Sequence, residues 1–321
     1  MFKNYVITTI NNLLKNKLFS FINIAGLAIG LAACLTIALY VHNETSYDKH
    51  WSNAERLFRI VTSRTIDDGA FTNARNPVPL MPALRQYFSE EIEAAVRMQP
   101  YTREIQTGDS LIQMRLMEVD SAEVERMFDF EVLAGNLEIA LEAPGNIALS
   151  AEVAEQFFGR LDAVGETLSV RLSDSEVKDL RVVAVYRLAE GNSILREGLL
   201  QLPAMIAMDV ASKPDGWNAL NPFNYVLLAP GVDGDDLNAR MQDFTNQYVD
   251  IADFDAAAPG ARPSELIRFT LQNLAESYLN SSFDGYGERG NKIGVLAFSA
   301  IALLVLAIGC INFIILSTAK A

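Results

Sequence analysis

The residues able to do chemistry are few and badly spaced for it. Only two histidines occur, His42 and His50, eight positions apart with no cysteine and no H-E-x-x-H pattern near them. A zinc site wants closely spaced Cys and His ligands, so both histidines read as solvated surface residues. Gly285, Gly287 and Gly290 form a G-x-G-x-x-G spacing, but a dinucleotide loop needs a strand before it and a soluble helix with a later acid after it. A long apolar run follows instead, so the three glycines read as a hinge. Asp67-Asp68 and Asp233-Gly234-Asp235-Asp236 lack the spaced ligands and distant glutamate of a calcium loop, and serve as turns and caps. Neither a G-x-S-x-G elbow nor a G-x-x-x-x-G-K-[ST] loop is present. Nothing in these residues singles out a catalytic group, a metal site or a cofactor site.

The elements that organise these residues are two apolar stretches. Phe19 to Val41 contains no Asp, Glu, Lys or Arg. At about 1.5 Å per helical residue it reaches about 34 Å, enough for a hydrocarbon core of about 30 Å. Ile293 to Leu316 is a second stretch of the same kind. The 251 residues from 42 to 292 lie between them, far too many for a loop, so the expectation is a folded domain between two membrane spans. Within the first span Gly26 and Gly30 make a G-x-x-x-G with Ala33 on the same face, a surface for packing span against span.

Charge sets the orientation. Lys3, Lys15 and Lys17 precede the first span and Lys320 follows the second, with no acid at either end, so both termini read as cytoplasmic. The central domain between them therefore lies outside; it holds 22 basic and 40 acidic residues, a formal charge of −18, which argues against nucleic acid as a partner. A cleaved signal peptide fits poorly, because the apolar run continues past Ala32 and Ala33 to Leu39 and Tyr40. Leu31-Ala32-Ala33-Cys34 resembles a lipoprotein processing box, yet Leu35 to Leu39 stays apolar where a lipoprotein turns polar. Cys34 and Cys310 both lie inside the apolar stretches, leaving the central domain no disulfide. At its size it buries about 70 to 75% of its unfolded surface without one.

Residues 1–17 read either as an amphipathic helix on the cytoplasmic surface, with Phe2, Val6, Ile10 and Leu13 on one stripe, or as a plain charged flank. In the central domain, Asn53 to Arg56 reads as a short helix before a strand at 57–63. Residues 77–88 read as a helix, 94–100 and 111–120 as strands, and 122–128 as one or two helical turns. A strand at 147–149, a helix at 151–158 stopped by Gly159, and a hairpin pairing 168–172 with 180–188 follow. Residues 223–228 and 266–274 are strand candidates. The helix within 231–251 carries Leu237, Met241, Phe244, Tyr248 and Ile251 on one face, capped by Asp235 or Asp236. The irregular alternation of strands and helices predicts an α+β domain with antiparallel or mixed sheets.

Four blocks carry a family resemblance. The run from Leu13 through the first span to YDKHWSNAERLFRI, the block AEVAEQFFGRLDAVGETLSV, the block VVAVYRLAEGNSILREGLL, and the closing span with Ile311-Asn312-Phe313 and Leu316-Ser317-Thr318-Ala319 resemble the permease subunits of MacB/FtsX-type ABC transporters. The resemblance implies a multi-pass protein of the bacterial cell inner membrane: a lead-in helix at 1–17, spans at 18–41 and 293–316, and a periplasmic core domain at 42–292. That core is a porter-like unit with a small α+β unit inserted near 104–198. It implies a non-catalytic part that transmits ATP-driven motion from a separate cytoplasmic ATPase, in export or extraction of a lipid, peptide, drug or lipoprotein. Its expected partners are that ATPase, a second permease copy or homologue, the lipid bilayer and a periplasmic protein. Such permeases have at least four spans, so residues 317–321 read as the end of an N-terminal portion. A two-span sensor with an exported ligand-binding domain, or an envelope scaffold, is the alternative.

Overall fold

The computed structural model describes residues 17–66, 69–107, 110–173, 176–194, 204–254, 260–280 and 290–318. The chain forms two compact units, one built from residues 1–45 and 290–321 and the other from residues 46–289. The expected lead-in helix lies outside the described residues except for Lys17.

The first unit is a pair of apolar helices, α1 (Lys17–Thr45) and α9 (Lys292–Thr318). Each contains a window long and apolar enough to cross a membrane, Ile24–Thr45 and Lys292–Ile311. The helices run antiparallel, since Leu27 meets Gly309, Gly30 meets Val305 and Cys34 meets Ala302. Large apolar side chains cover the outside, Ile29 at 71% and Ile293 at 80% exposed, which in water would be untenable and in lipid is the stable arrangement.

The second unit is a mixed α/β domain on an eleven-stranded sheet in the order β11-β1-β10-β3-β4-β9-β6-β8-β5, with β2 beside β1 and β7 joining β3 to β8. The strands are β1 Leu57–Ile66, β2 Gly69–Asn73, β3 Ile92–Thr107, β4 Ser110–Val119, β5 Phe130–Gly135, β6 Asn146–Ser150, β7 Thr167–Ser173, β8 Glu176–Leu188, β9 Ala204–Ala207, β10 Phe223–Leu228 and β11 Ile267–Asn273. The helices are α2 Leu80–Tyr87, α3 Val124–Met127, α4 Leu137–Glu142, α5 Ala151–Phe158, α6 Gly234–Tyr248, α7 Pro263–Leu266 and α8 Leu274–Asn280. Most pairs are antiparallel; β4 with β9 and β6 with β8 are parallel.

Three cores fill this unit. On one face of β11-β1-β10-β3, Ile60, Val226 and Phe269 meet Leu84 of α2 and Leu237, Met241 and Phe244 of α6. On the other, Leu57, Leu227 and Tyr225 meet Tyr47, Trp51, Phe128 and Tyr278. The third lies where the pairings β3-β4-β9-β6-β8-β7-β3 close a ring of six strands. Ile105, Leu116, Ile147, Leu149, Val170 and Val182 fill it, as the alternating inward face of a small closed ring requires.

The predicted hairpin of β7 and β8 forms, with Arg171 opposite Val177. Helix α5 starts on Ser150, whose hydroxyl accepts from the Val153 amide, and ends at Gly159 with φ 67°. The predicted cap of α6 needs correction: Asp233, not Asp235 or Asp236, holds the position, its carboxylate accepting from the Asp235 amide at 2.9 Å.

Candidate functional site

The site builds from the residues that leave α1. Asp48 is fully buried and adopts φ 55°, a left-handed conformation that aspartate tolerates better than most residues. Its amide donates to the Asn192 carbonyl at 2.8 Å. Its carboxylate accepts from Trp51 Nε1 at 2.9 Å, from the Ile194 amide at 3.0 Å and from the Ser193 hydroxyl. Asn192 Nδ2 donates to Ser46 Oγ at 2.9 Å, so two distant segments, 46–51 and 191–194, are bound by one carboxylate and one amide. Burial pushes the Asp48 carboxyl up from its ordinary value, against the pull of its three donors and the charge of Arg59.

A carboxylate saturated by three donors and closed to solvent has no room for substrate. The arrangement is a clasp, and the residues around it extend it. The next residue after Trp51, Ser52, donates its amide and hydroxyl to Asp129 at 2.7 and 2.6 Å. The Trp51 ring meets Phe128 edge-on at 5.3 Å, and Phe128 meets Tyr225 of the central strand β10 at 6.0 Å. Arg59 of β1, also buried, donates through Nε and Nη2 to Gln272 of β11 at 2.9 and 2.7 Å. Burial pushes the Arg59 guanidinium down, while Tyr225 and Asp48 favour its charge. Tyr47 stacks on Tyr278 of α8 with centroids 3.5 Å apart and planes 2° from parallel. Tyr47, just past α1 in the chain, and Tyr278 of α8 thus share one core.

Of the residues singled out from sequence, Gly30 has a partner across the helix pair: a Cβ there would lie 3.8 Å from Val305, while Gly26 faces open space and Ala33 is half-buried. Gly290 lies just before α9, and Gly285 and Gly287 fall outside the described residues, as do Asp67 and Asp68. His42 is exposed in the last turn of α1. His50, expected in solvent, instead packs on Trp51 with ring centroids 4.0 Å apart. A Cβ on Gly191 would lie 2.3 Å from its ring, so the close approach needs a glycine. Among the described residues no group of three His, Cys, Asp or Glu could hold a metal. An open cleft of about 670 Å³ beside Phe58, Gly234 and Asn273 bears Glu55, Asp233, Asp235 and Glu276 against Lys49.

Single-sequence reasoning missed the clasp. Its signal lay within two of the quoted blocks, as an aspartate and a tryptophan one helical turn apart and an Asn-Ser pair after a glycine, but nothing in spacing links positions 48 and 193.

Known proteins resemble this chain in family and in fold. The family model described as MacB-like periplasmic core domain matches residues 20–244. Among solved structures, a domain of a protein designated a permease from Porphyromonas gingivalis aligns at 19% identity and TM-score 0.55, covering 70% of this chain and 91% of that one. The periplasmic region of MacB from Actinobacillus actinomycetemcomitans aligns at 9% identity and TM-score 0.43, over 68% and 89% of the two chains. The extracellular domain of the noncanonic ABC-type transporter YknZ from Gram-positive bacteria gives 9% and 0.41, over 68% and 100%. No curated protein matches. The likeness to the first of these structures is one of fold.

Proposed function

From the premise that this chain belongs to the family of the MacB-like periplasmic core domain, we propose that it acts as part of the permease subunit of an ABC transporter of the bacterial inner membrane. Its two spans cross the bilayer with both termini in the cytoplasm, and its central domain lies in the periplasm. A separate cytoplasmic ATPase supplies the energy, and a second permease copy or a homologue completes the pore. The chain carries motion rather than chemistry, and the cargo is a lipid, peptide, drug or lipoprotein.

The observation that carries this reading is the clasp. A domain driven by its spans needs the two connections to those spans fixed to its core, since slack there would dissipate the displacement. Tyr47 stacked on Tyr278, and Asp48 tied to Ser193 and Ile194, provide that fixing. The closed ring of six strands supports placing an inserted unit near residues 104–198. Gly285, Gly287 and Gly290 would form a hinge ahead of the second span in the chain, and Gly26, Gly30 and Ala33 the packing face of the first span.

The test is purification of the tagged chain from cross-linked native membranes. An ABC ATPase recovered in stoichiometric amount, together with protease access to residues 46–289 only from the periplasmic side, is the expected result. Recovery of a signalling kinase, or of no ATPase, would overturn the permease reading. In the assembled transporter, prolines at positions 285, 287 and 290 should leave ATP turnover intact and stop transport; unchanged transport would remove the hinge.

A further inference from the structure

Strands β10 and β3 share one face on which chemistry changes along the strand. Val226 lies opposite Ala95 and Asn224 opposite Arg97, so Ala95, Arg97 and Gln99 of β3 point the same way as Asn224, Val226 and Leu228 of β10. Val226, Leu228 and Ala95 run into the apolar core around Phe244. Two residues further along, the face turns polar but stays buried, with Asn224 at 0% and Gln99 at 4% exposure.

The charges along this stretch are already spent. Arg97 donates from Nε to Asp120 at 2.6 Å and from Nη1 to the Val78 carbonyl at 3.0 Å. Lys213 donates to Glu118, the residue opposite Gln99, at 2.6 Å. The neighbouring Asn76, also fully buried, uses its whole amide: Nδ2 donates to Thr62 Oγ1 and the Ile60 carbonyl, and Oδ1 accepts from the Asn224 backbone amide at 3.0 Å. The Asn224 side chain stands in contrast. Among the described residues neither its Oδ1 nor its Nδ2 meets a hydrogen-bond partner, and neither does Gln99 Oε1.

Leaving one such buried group unmet costs about 1–3 kcal/mol, and native proteins meet these groups with protein or ordered water. Gln99 is two residues from Arg97, which faces Asn224, so the two amides are diagonal neighbours with backbones about 7–8 Å apart. Among the described residues Asn224 and Gln99 Oε1 do not hydrogen-bond to each other, and this spacing leaves them near enough for a bridge. The bridging species is set by the groups it must serve. Two carbonyl oxygens need donors and one NH₂ needs an acceptor, while the adjacent charges are neutralised in pairs and offer nothing to an ion. A small neutral molecule that both donates and accepts is required. We propose that Asn224 and Gln99 form an internal hydration site holding one or two ordered waters between β10 and β3.

A crystal structure of the full chain tests this directly. The expected result is ordered solvent density within hydrogen-bond distance of both Asn224 amide atoms and of Gln99 Oε1. Density absent, with the Asn224 amide turned onto a protein group, would overturn the site. Melting of the full chain in detergent gives a second, independent readout. Asn224→Leu and Gln99→Leu should each lower Tm by about 2–4 °C, and the double variant should lose clearly less than the sum, because one bridge is lost twice. Single variants that raise Tm, or strictly additive losses, would show the amides to be dry or independent and sink the proposal. Asn224→Ala, which leaves room for solvent, keeps the comparison open should Asn224→Leu fail to fold.

Discussion

At the scale of single residues, Asp48 holds the clasp together. Replacing it by alanine leaves the Trp51 indole, the Ser193 hydroxyl and the Ile194 amide without their buried acceptor. Each loss costs about 1–3 kcal/mol, so Asp48→Ala should destabilise the full chain by about 3 kcal/mol or more in denaturant melts, and Asp48→Asn, which keeps one acceptor, by about 1 kcal/mol. The pH dependence has a definite sign. Because burial holds the carboxyl above its ordinary value, the folded chain takes up that proton more readily than the unfolded chain. Ionised Asp48 therefore lowers stability at neutral pH, and the cost fades as pH falls through the folded value. Wild type should gain on Asp48→Asn as pH drops from about 7 to about 4; a constant gap would show that the carboxyl is not raised. Gly191→Ala drives a methyl into the His50 ring and should cost about 1–3 kcal/mol. His50→Ala in the same chain should recover only the part of that loss due to the clash, leaving the backbone strain of a side chain at φ 156°.

At the scale of elements, the helix pair can be read by chemistry it already contains. Cys34 Sγ lies 3.3 Å from the Ala302 carbonyl oxygen, so Ala302→Cys, in a chain with Cys310 replaced by serine, should oxidise to a disulfide across α1 and α9, visible as a gel shift. Gly30→Ile should suppress that cross-link, because Val305 occupies the space beside Gly30, while Gly26→Ile should leave it intact. Equal cross-linking in both would refute the packing described here. The elements best read from sequence were those whose pattern is local. Leu237, Met241 and Phe244 marked α6 by helical spacing, Gly159 marked the stop of α5, alternation of Leu168, Val170 and Leu172 marked β7, and β-branched residues marked β8. The strands β5 and β9 and the helix α8 escaped, because their hydrophobic runs are short and their stability comes from partners far away in the chain, Val185 for Ala134 and Met117 for Met205. The clasp escaped for the same reason. Asp48 and Ser193 are joined by a fold that brings 145 residues of chain back on itself, and a single sequence holds no record of that distance.

At the scale of the molecule, each link has a physical role. A long apolar helix delivers the chain to a domain of formal charge −18, kept soluble by that charge. Within the domain, Tyr47 and Trp51, which follow α1 in the chain, share one apolar core with Tyr278 of α8 and with Leu57 of β1 and Tyr225 of β10. Packed cores transmit displacement because they are dense and resist deformation, and in the proposed function that role falls to the clasp. The measurement that tests this most directly is a distance measurement in the assembled transporter, between spin labels on Val177→Cys of its two permease copies, with Cys34 and Cys310 replaced by serine. ATP binding should shift that distance in the otherwise wild-type chain. In a folded, ATPase-active complex carrying Asp48→Ala the shift should vanish while ATP hydrolysis continues. The same shift with and without Asp48, or none in either, would contradict the claim that the clasp carries motion from the spans into the domain.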